Sequence, residues 1–164
     1  AVGDYPPMFV QPLSEAAPDW EYRVYPLVDG QFPQRVDECD GYITTGSRHG
    51  VNDGFPWIDR TLSLVREIHR RKIRYVGICF GHQLLARALR GRVEKSPRGW
   101  GVGVSFNHIV DQRDWMAPWQ PGMDLVVSHQ DQVTELPPGA EVLASSSFCQ
   151  VASSGNSDSK YRSG

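Results

Sequence analysis

Cysteine is scarce in this chain. Three in 164 residues (Cys39, Cys79 and Cys149) are too few and too scattered for a disulfide framework. An odd count leaves at least one thiol unpaired within the chain, and the usage predicts a reducing, cytoplasmic compartment. Charge of one sign is not in excess either: 17 Lys and Arg stand against 19 Asp and Glu, a net −2 with neutral His. That balance argues against nucleic acid or an anionic membrane as a partner. No apolar run approaches the roughly 20 residues that span a bilayer. The opening AVGDYPPMFV lacks the basic-then-apolar order of a signal peptide. There is no Cys-x-x-Cys and no histidine pair at metal-ligand spacing, so no metal is expected. Gly99-Trp100-Gly101-Val102-Gly103 lacks the preceding strand and following Lys-Ser/Thr of a phosphate loop, and no cofactor is expected.

What remains is an ordinary globular composition, 40% hydrophobic and 22% charged. A surface helix is expected before Pro18, and Glu21–Leu27 alternates as a strand would. Asp40–Gly46 reads as a compact strand ending on glycine, followed by a polar loop from Ser47 to Pro56. The strongest helix is Trp57–Arg71, where Trp57, Ile58, Leu62, Val65 and Ile68 recur at helical spacing. Ile73–Ile78 is the next strand and Gln83–Leu89 the helix after it, stopped by Gly91. Beyond it come consecutive strands at Val102–Val110, Met123–Ser128 and Ala140–Ala144. Early alternation of strand and helix predicts an α/β fold with a parallel sheet covered on both faces. Residues 1–152 are read as one domain and residues 153–164, polar and poor in core formers, as a disordered or non-native tail.

The chemistry concentrates at Gly77-Ile78-Cys79-Phe80-Gly81-His82-Gln83, where a strand turns sharply into a helix. A nucleophile on such a turn stands above the edge of the sheet. Glycines on both sides avoid collisions with neighbouring backbone. The helix N-terminus favours thiolate, and the Phe80 N–H is placed to donate to an oxyanion. The alternative is an inert buried thiol, the commoner state of free cysteine.

This heptapeptide resembles the nucleophile elbow of the class I glutamine amidotransferases. Two further segments fit in order. Gly41-Tyr42-Ile43-Thr44-Thr45-Gly46-Ser47 resembles the strand and turn that supply a second oxyanion donor, and Ser128-His129-Gln130-Asp131-Gln132-Val133 resembles the element that helps hold glutamine. The resemblance implies a flavodoxin-like, three-layer α/β/α open sheet, mostly parallel. It implies Cys79 as nucleophile, Gly46 and Phe80 as oxyanion donors, and Ser47, Gln83, Ser128, His129, Gln130 and Asp131 as substrate contacts. The implied reaction is hydrolysis of the L-glutamine side-chain amide through a cysteine thioester, with ammonia serving a synthetase partner chain. A γ-glutamyl peptidase or hydrolase of the same superfamily, or a catalytically dead glutamine-binding or regulatory module, are the alternatives.

The family's general base is a histidine in a His-Pro-Glu sequence, and none of the five histidines here precedes proline. The family's first strand is also expected ahead of Gly3. The chain therefore reads as incomplete at both ends. Loss of a triad member costs on the order of 10⁴ to 10⁶ in kcat, so impaired activity is expected of the chain as written. His129, the best candidate to substitute because its segment belongs to the implied glutamine pocket, reads better as a side chain bonded to nearby backbone than as a base.

Overall fold

A computed structural model describes residues 5–156. The chain divides into two compact units, Ala1–Leu84 and Leu85–Gly164.

The first unit opens with α1 (Tyr5–Ala16), the surface helix expected before Pro18. The strand expected over Glu21–Leu27 is absent: the stretch runs unpaired into a 3₁₀ turn at Leu27–Asp29, closed by Gly30 at φ +76°. Its alternation is real, but no neighbouring strand pairs with it, and Trp20 and Val24 face solvent. Side chains tie it down instead, as when Tyr25 Oη donates to Glu38 Oε1 at 2.5 Å.

Two short strands, β1 (Gly41–Thr44) and β2 (Arg74–Gly77), flank α2 (Pro56–Arg70) in sequence and pair in parallel, with Tyr42 opposite Tyr75 and Ile43 opposite Val76. Pro56 sits in the first turn of α2, where its missing N–H costs nothing, with Asp59 there and His69 and Arg70 in the last turn to match the helix dipole. Ile58, Leu62, Val65 and Ile68 are buried along one stripe. Each removes a side chain from water at roughly 1.5–3 kcal/mol, which is what holds this helix in place. The Thr61 hydroxyl, also buried, is satisfied by donating to Trp57 O at 2.7 Å.

Helix α3 (Phe80–Ala88) begins three residues before the expected Gln83, directly at the elbow. The second unit is antiparallel. Strands β4 (Gly101–Ile109) and β5 (Gly122–His129) form a long ladder; β7 (Ala140–Ser145) pairs the far end of β4, and β8 (Ser153–Asn156) pairs β7. Two further strands, β3 (Arg92–Lys95) and β6 (Asp131–Glu135), form a separate pair. Each has one buried apolar residue, Val93 and Val133, set opposite each other in register, so neither shows an alternation long enough to detect.

The α/β class stands, but among the described residues only β1–β2 is parallel, and the other sheets are antiparallel. The expected tail begins as strand: Ser153–Asn156 carries no apolar side chain, yet its backbone pairs with β7, and residues 157–164 lie outside the described residues. Among the described residues no helix is long and apolar enough to cross a membrane.

Candidate active site

The turn between β2 and α3 is built by close approach. A Cβ on Gly77 would lie 2.4 Å from the Gly81 carbonyl, and one on Gly81 would lie 2.3 Å from Thr44 O at the end of β1. The same contact is fastened by a hydrogen bond, Ile78 N–H to Thr44 O at 2.8 Å. Gly81 N–H donates to Ile78 O at 3.0 Å, and Gln83 N–H to Cys79 O at 3.1 Å, closing the first turn of α3. Tyr75 Oη donates to Gly81 O at 3.1 Å from below.

Between these glycines Cys79 is held at φ +54°. Left-handed backbone costs a residue with a Cβ roughly 1–2 kcal/mol. Among the described residues Lys72 and Arg90 share it, but they follow helix C-termini, where such a residue is an ordinary terminator. Cys79 instead precedes a helix. There the strain turns the side chain outward, and Cys79 is exposed while Phe80 beside it is buried.

The expectation that this thiol is biased toward thiolate is not met. Partial desolvation pushes it above its ordinary value of 9.0, and the adjacent Phe80 main-chain N–H, which favours the charged form, offsets this only in part. No charged side chain among the described residues contributes to the shift.

Gly46 and Ser47 follow β1 after Thr45 and are half-buried. Ser47 Oγ accepts from His49 N–H at 3.1 Å, which closes the turn after the glycine. Gln83 is buried, 7% exposed, on the face of α3 turned from solvent. The elbow unit thus brings Thr44 at the root of the Gly46–Ser47 turn into contact with Gly81, next to Cys79 and Phe80.

Ser128, His129, Gln130 and Asp131 belong to the second unit. Ser128 and His129 end β5, Asp131 begins β6, and Gln130 makes the corner, its carbonyl accepting from Ser96 N–H at 2.9 Å. His129 Nδ1 lies 3.1 Å from Asp131 O, so the ring is bonded to adjacent backbone as a donor. Its ring also meets Phe148, centroids 5.7 Å apart, and the Phe148 carbonyl is held by Arg98 at 2.7 Å and Gln132 at 3.0 Å. A cavity of about 410 Å³ opens in the same unit, lined in part by Trp100, Val102, Phe106, His108 and Phe148. Among the described residues no group of three or more His, Cys, Asp or Glu is arranged to hold a metal ion.

Residues 29–163 match the family model for glutamine amidotransferase class-I. The chain belongs to the class I glutamine amidotransferase family. It is 30% identical over 157 residues to gamma-glutamyl peptidase 3 of Arabidopsis thaliana, covering 91% of this chain and 62% of that protein. It is 34% identical over 127 residues to a glutamine-hydrolyzing GMP synthase component from Methanothermobacter thermautotrophicus, covering 77% of this chain and 68% of that one. A solved glutamine amidotransferase from Methylobacillus flagellatus superposes with a TM-score of 0.78 at 25% identity, over 87% of this chain and 58% of that one. The chain spans about three fifths of the length of the first of these relatives.

Bracing residues escaped the sequence reading. In sequence Tyr75 is only one residue of the Ile73–Ile78 strand, and His49 only part of the polar loop from Ser47 to Pro56. The run Phe55-Pro56-Trp57 beside that loop was the available signal, because two aromatics flanking a helix start need something to pack on.

Proposed function

We propose that this chain carries the nucleophile of a γ-glutamyl amide hydrolase, with L-glutamine as substrate. The observation that supports it most is Cys79 itself: an exposed thiol at φ +54°, at the head of α3, between two glycines that admit no Cβ. In the proposed reaction the Cys79 thiolate adds to the side-chain amide carbon, forming a C–S bond. The oxygen takes the negative charge and accepts hydrogen bonds from the main-chain N–H groups of Phe80 and Gly46. Collapse breaks the C–N bond, the nitrogen takes a proton from water, and ammonia leaves. Water then adds to the γ-glutamyl thioester, the C–S bond breaks, glutamate is released and the Cys79 thiol is restored. By the family resemblance, Ser47, Gln83, Ser128, His129, Gln130 and Asp131 are the proposed substrate contacts. The ammonia is proposed to serve a synthetase partner chain.

A second reading, a γ-glutamyl peptide as substrate, is favoured by the likeness to the Arabidopsis gamma-glutamyl peptidase over 91% of the chain. The acyl chemistry is identical and only the leaving amine differs. A chloroketone analogue of glutamine tests the shared step. Peptide mass mapping is expected to find the adduct on Cys79 and not on Cys39 or Cys149, with free glutamine protecting. Uniform or absent labelling removes the catalytic reading and leaves a glutamine-binding module. Assay of the amine released from L-glutamine and from a γ-glutamyl dipeptide then separates the two substrates.

A further inference from the structure

The loop after β1 is held to the elbow by a run of rings. His49 meets Phe55 edge-on with centroids 4.7 Å apart and Trp57 at 5.9 Å; Trp57 in turn packs on Phe80 at 5.6 Å. Phe80 is 3% exposed and is the residue after Cys79. On the other side of His49 the main chain is closed twice. Its N–H donates to Ser47 Oγ at 3.1 Å, and Gly50 N–H donates to Asp53 Oδ2 at 2.8 Å while Asp53 N–H returns to Gly50 O at 3.1 Å. Val51, at the centre of this loop, is completely buried. The loop is therefore pinned at Val51, with residues 52–56 exposed, and is joined through aromatic contact to the residue that neighbours the sulfur.

We propose that His49 is a positioning residue: its ring, packed on Phe55 and Trp57, fixes the Gly46–Ser47 turn relative to the Cys79–Phe80 elbow. This rests on the reading of Cys79 as a nucleophile served by two main-chain donors. An oxyanion hole gains from donors already in place when charge develops, and the two donors here come from different segments. Ring contacts of this spacing are the means by which one segment reads the position of the other. The Nδ1 to Asp53 Oδ2 separation of 3.9 Å is too long for a hydrogen bond, so the ring, not its charge, carries the role.

The test compares two alkylating agents on Cys79. The glutamine chloroketone passes through an oxyanion; iodoacetamide does not. His49→Ala is expected to lower the maximal inactivation rate by the chloroketone roughly tenfold or more, because loss of one oxyanion donor costs ~10²–10³. The concentration for half-maximal inactivation and the iodoacetamide rate are expected to stay near wild type. His49→Phe, which keeps a ring, is expected to restore the chloroketone rate, and thermal melts verify that both variants fold. An undiminished rate in His49→Ala, or no recovery in His49→Phe, overturns the proposal while wild-type labelling still supports Cys79. Absence of selective labelling in the wild type removes the parent reading and this one with it.

Discussion

Two cysteines, Cys79 and Cys149, sit in surroundings that push both thiols above their ordinary value, in each case chiefly through burial. Their backbones separate them. Cys149 is 7% exposed in a turn closed on itself, with its N–H on Ser146 Oγ at 3.0 Å, Ser146 N–H on its carbonyl at 2.8 Å, and its thiol donating to Val151 O at 3.3 Å. Cys79 has no such enclosure: the chain is forced through φ +54° and the residue is exposed. Presentation of a nucleophile is thus a main-chain property here, imposed by glycines two residues to either side. Ionisation is a separate property that this elbow does not supply by itself.

The comparison breaks most completely if the elbow cannot form. Gly81→Ala places a methyl group 2.3 Å from Thr44 O and 2.9 Å from its Cβ. Thr44 is fixed by its pairing with Gly77 and by Ile78 N–H, so neither side yields without disturbing the parallel ladder. Overpacking of a rigid site costs about 3 kcal/mol or more at its upper end. Denaturant titration is expected to show a loss of that order, together with loss of selective chloroketone labelling at Cys79. A variant with wild-type stability and labelling would mean that the close approach is not what shapes the turn.

A second test sharpens the difference without a substitution. In the native protein iodoacetamide is expected to modify Cys79 on the order of 10² times faster than Cys149, which reacts only through local opening. The rate at Cys79 should keep climbing as pH passes 9, because a raised thiol forms thiolate later than an ordinary one. A rate that levels off near neutral pH would reveal a base or cation acting on the sulfur. The same sign applies to stability: each raised thiol contributes fully below pH 9, and that contribution is lost as pH rises through its folded value.

The elbow was legible because its constraints are local. A cysteine between two glycines at a strand-to-helix turn is written in seven consecutive residues, and the amphipathic stripe of α2 in fifteen. Pairing was less legible, since it depends on partners distant in sequence. Glu21–Leu27 has a strand's pattern and no neighbour, while β8 has a neighbour and no pattern. Val93 and Val133 bury one residue each, below the length at which alternation shows. The thiol's raised pKa was not legible either: desolvation is set by atoms brought in by the fold, whereas a helix N-terminus, visible in sequence, acts in the opposite direction.

The smallest effect concerns the brace beneath the elbow. Tyr75 pairs with Tyr42 across the parallel ladder and donates its phenol to Gly81 O, the residue whose own Cβ space is taken by Thr44. Tyr75→Phe keeps the ring and removes one hydrogen bond, worth about 1 kcal/mol, so a small fall in urea midpoint is expected at pH 8. Burial raises this phenol from 10.0 to about 12. A raised folded value means the native state keeps its proton where the unfolded state has begun to lose it. Stability from this group is therefore complete below pH 10 and is lost as pH rises toward 12. The gap between wild type and Tyr75→Phe should narrow across that window. A gap that stays constant would place the phenol in contact with water, and Gly81 would then be held by packing against Thr44 alone.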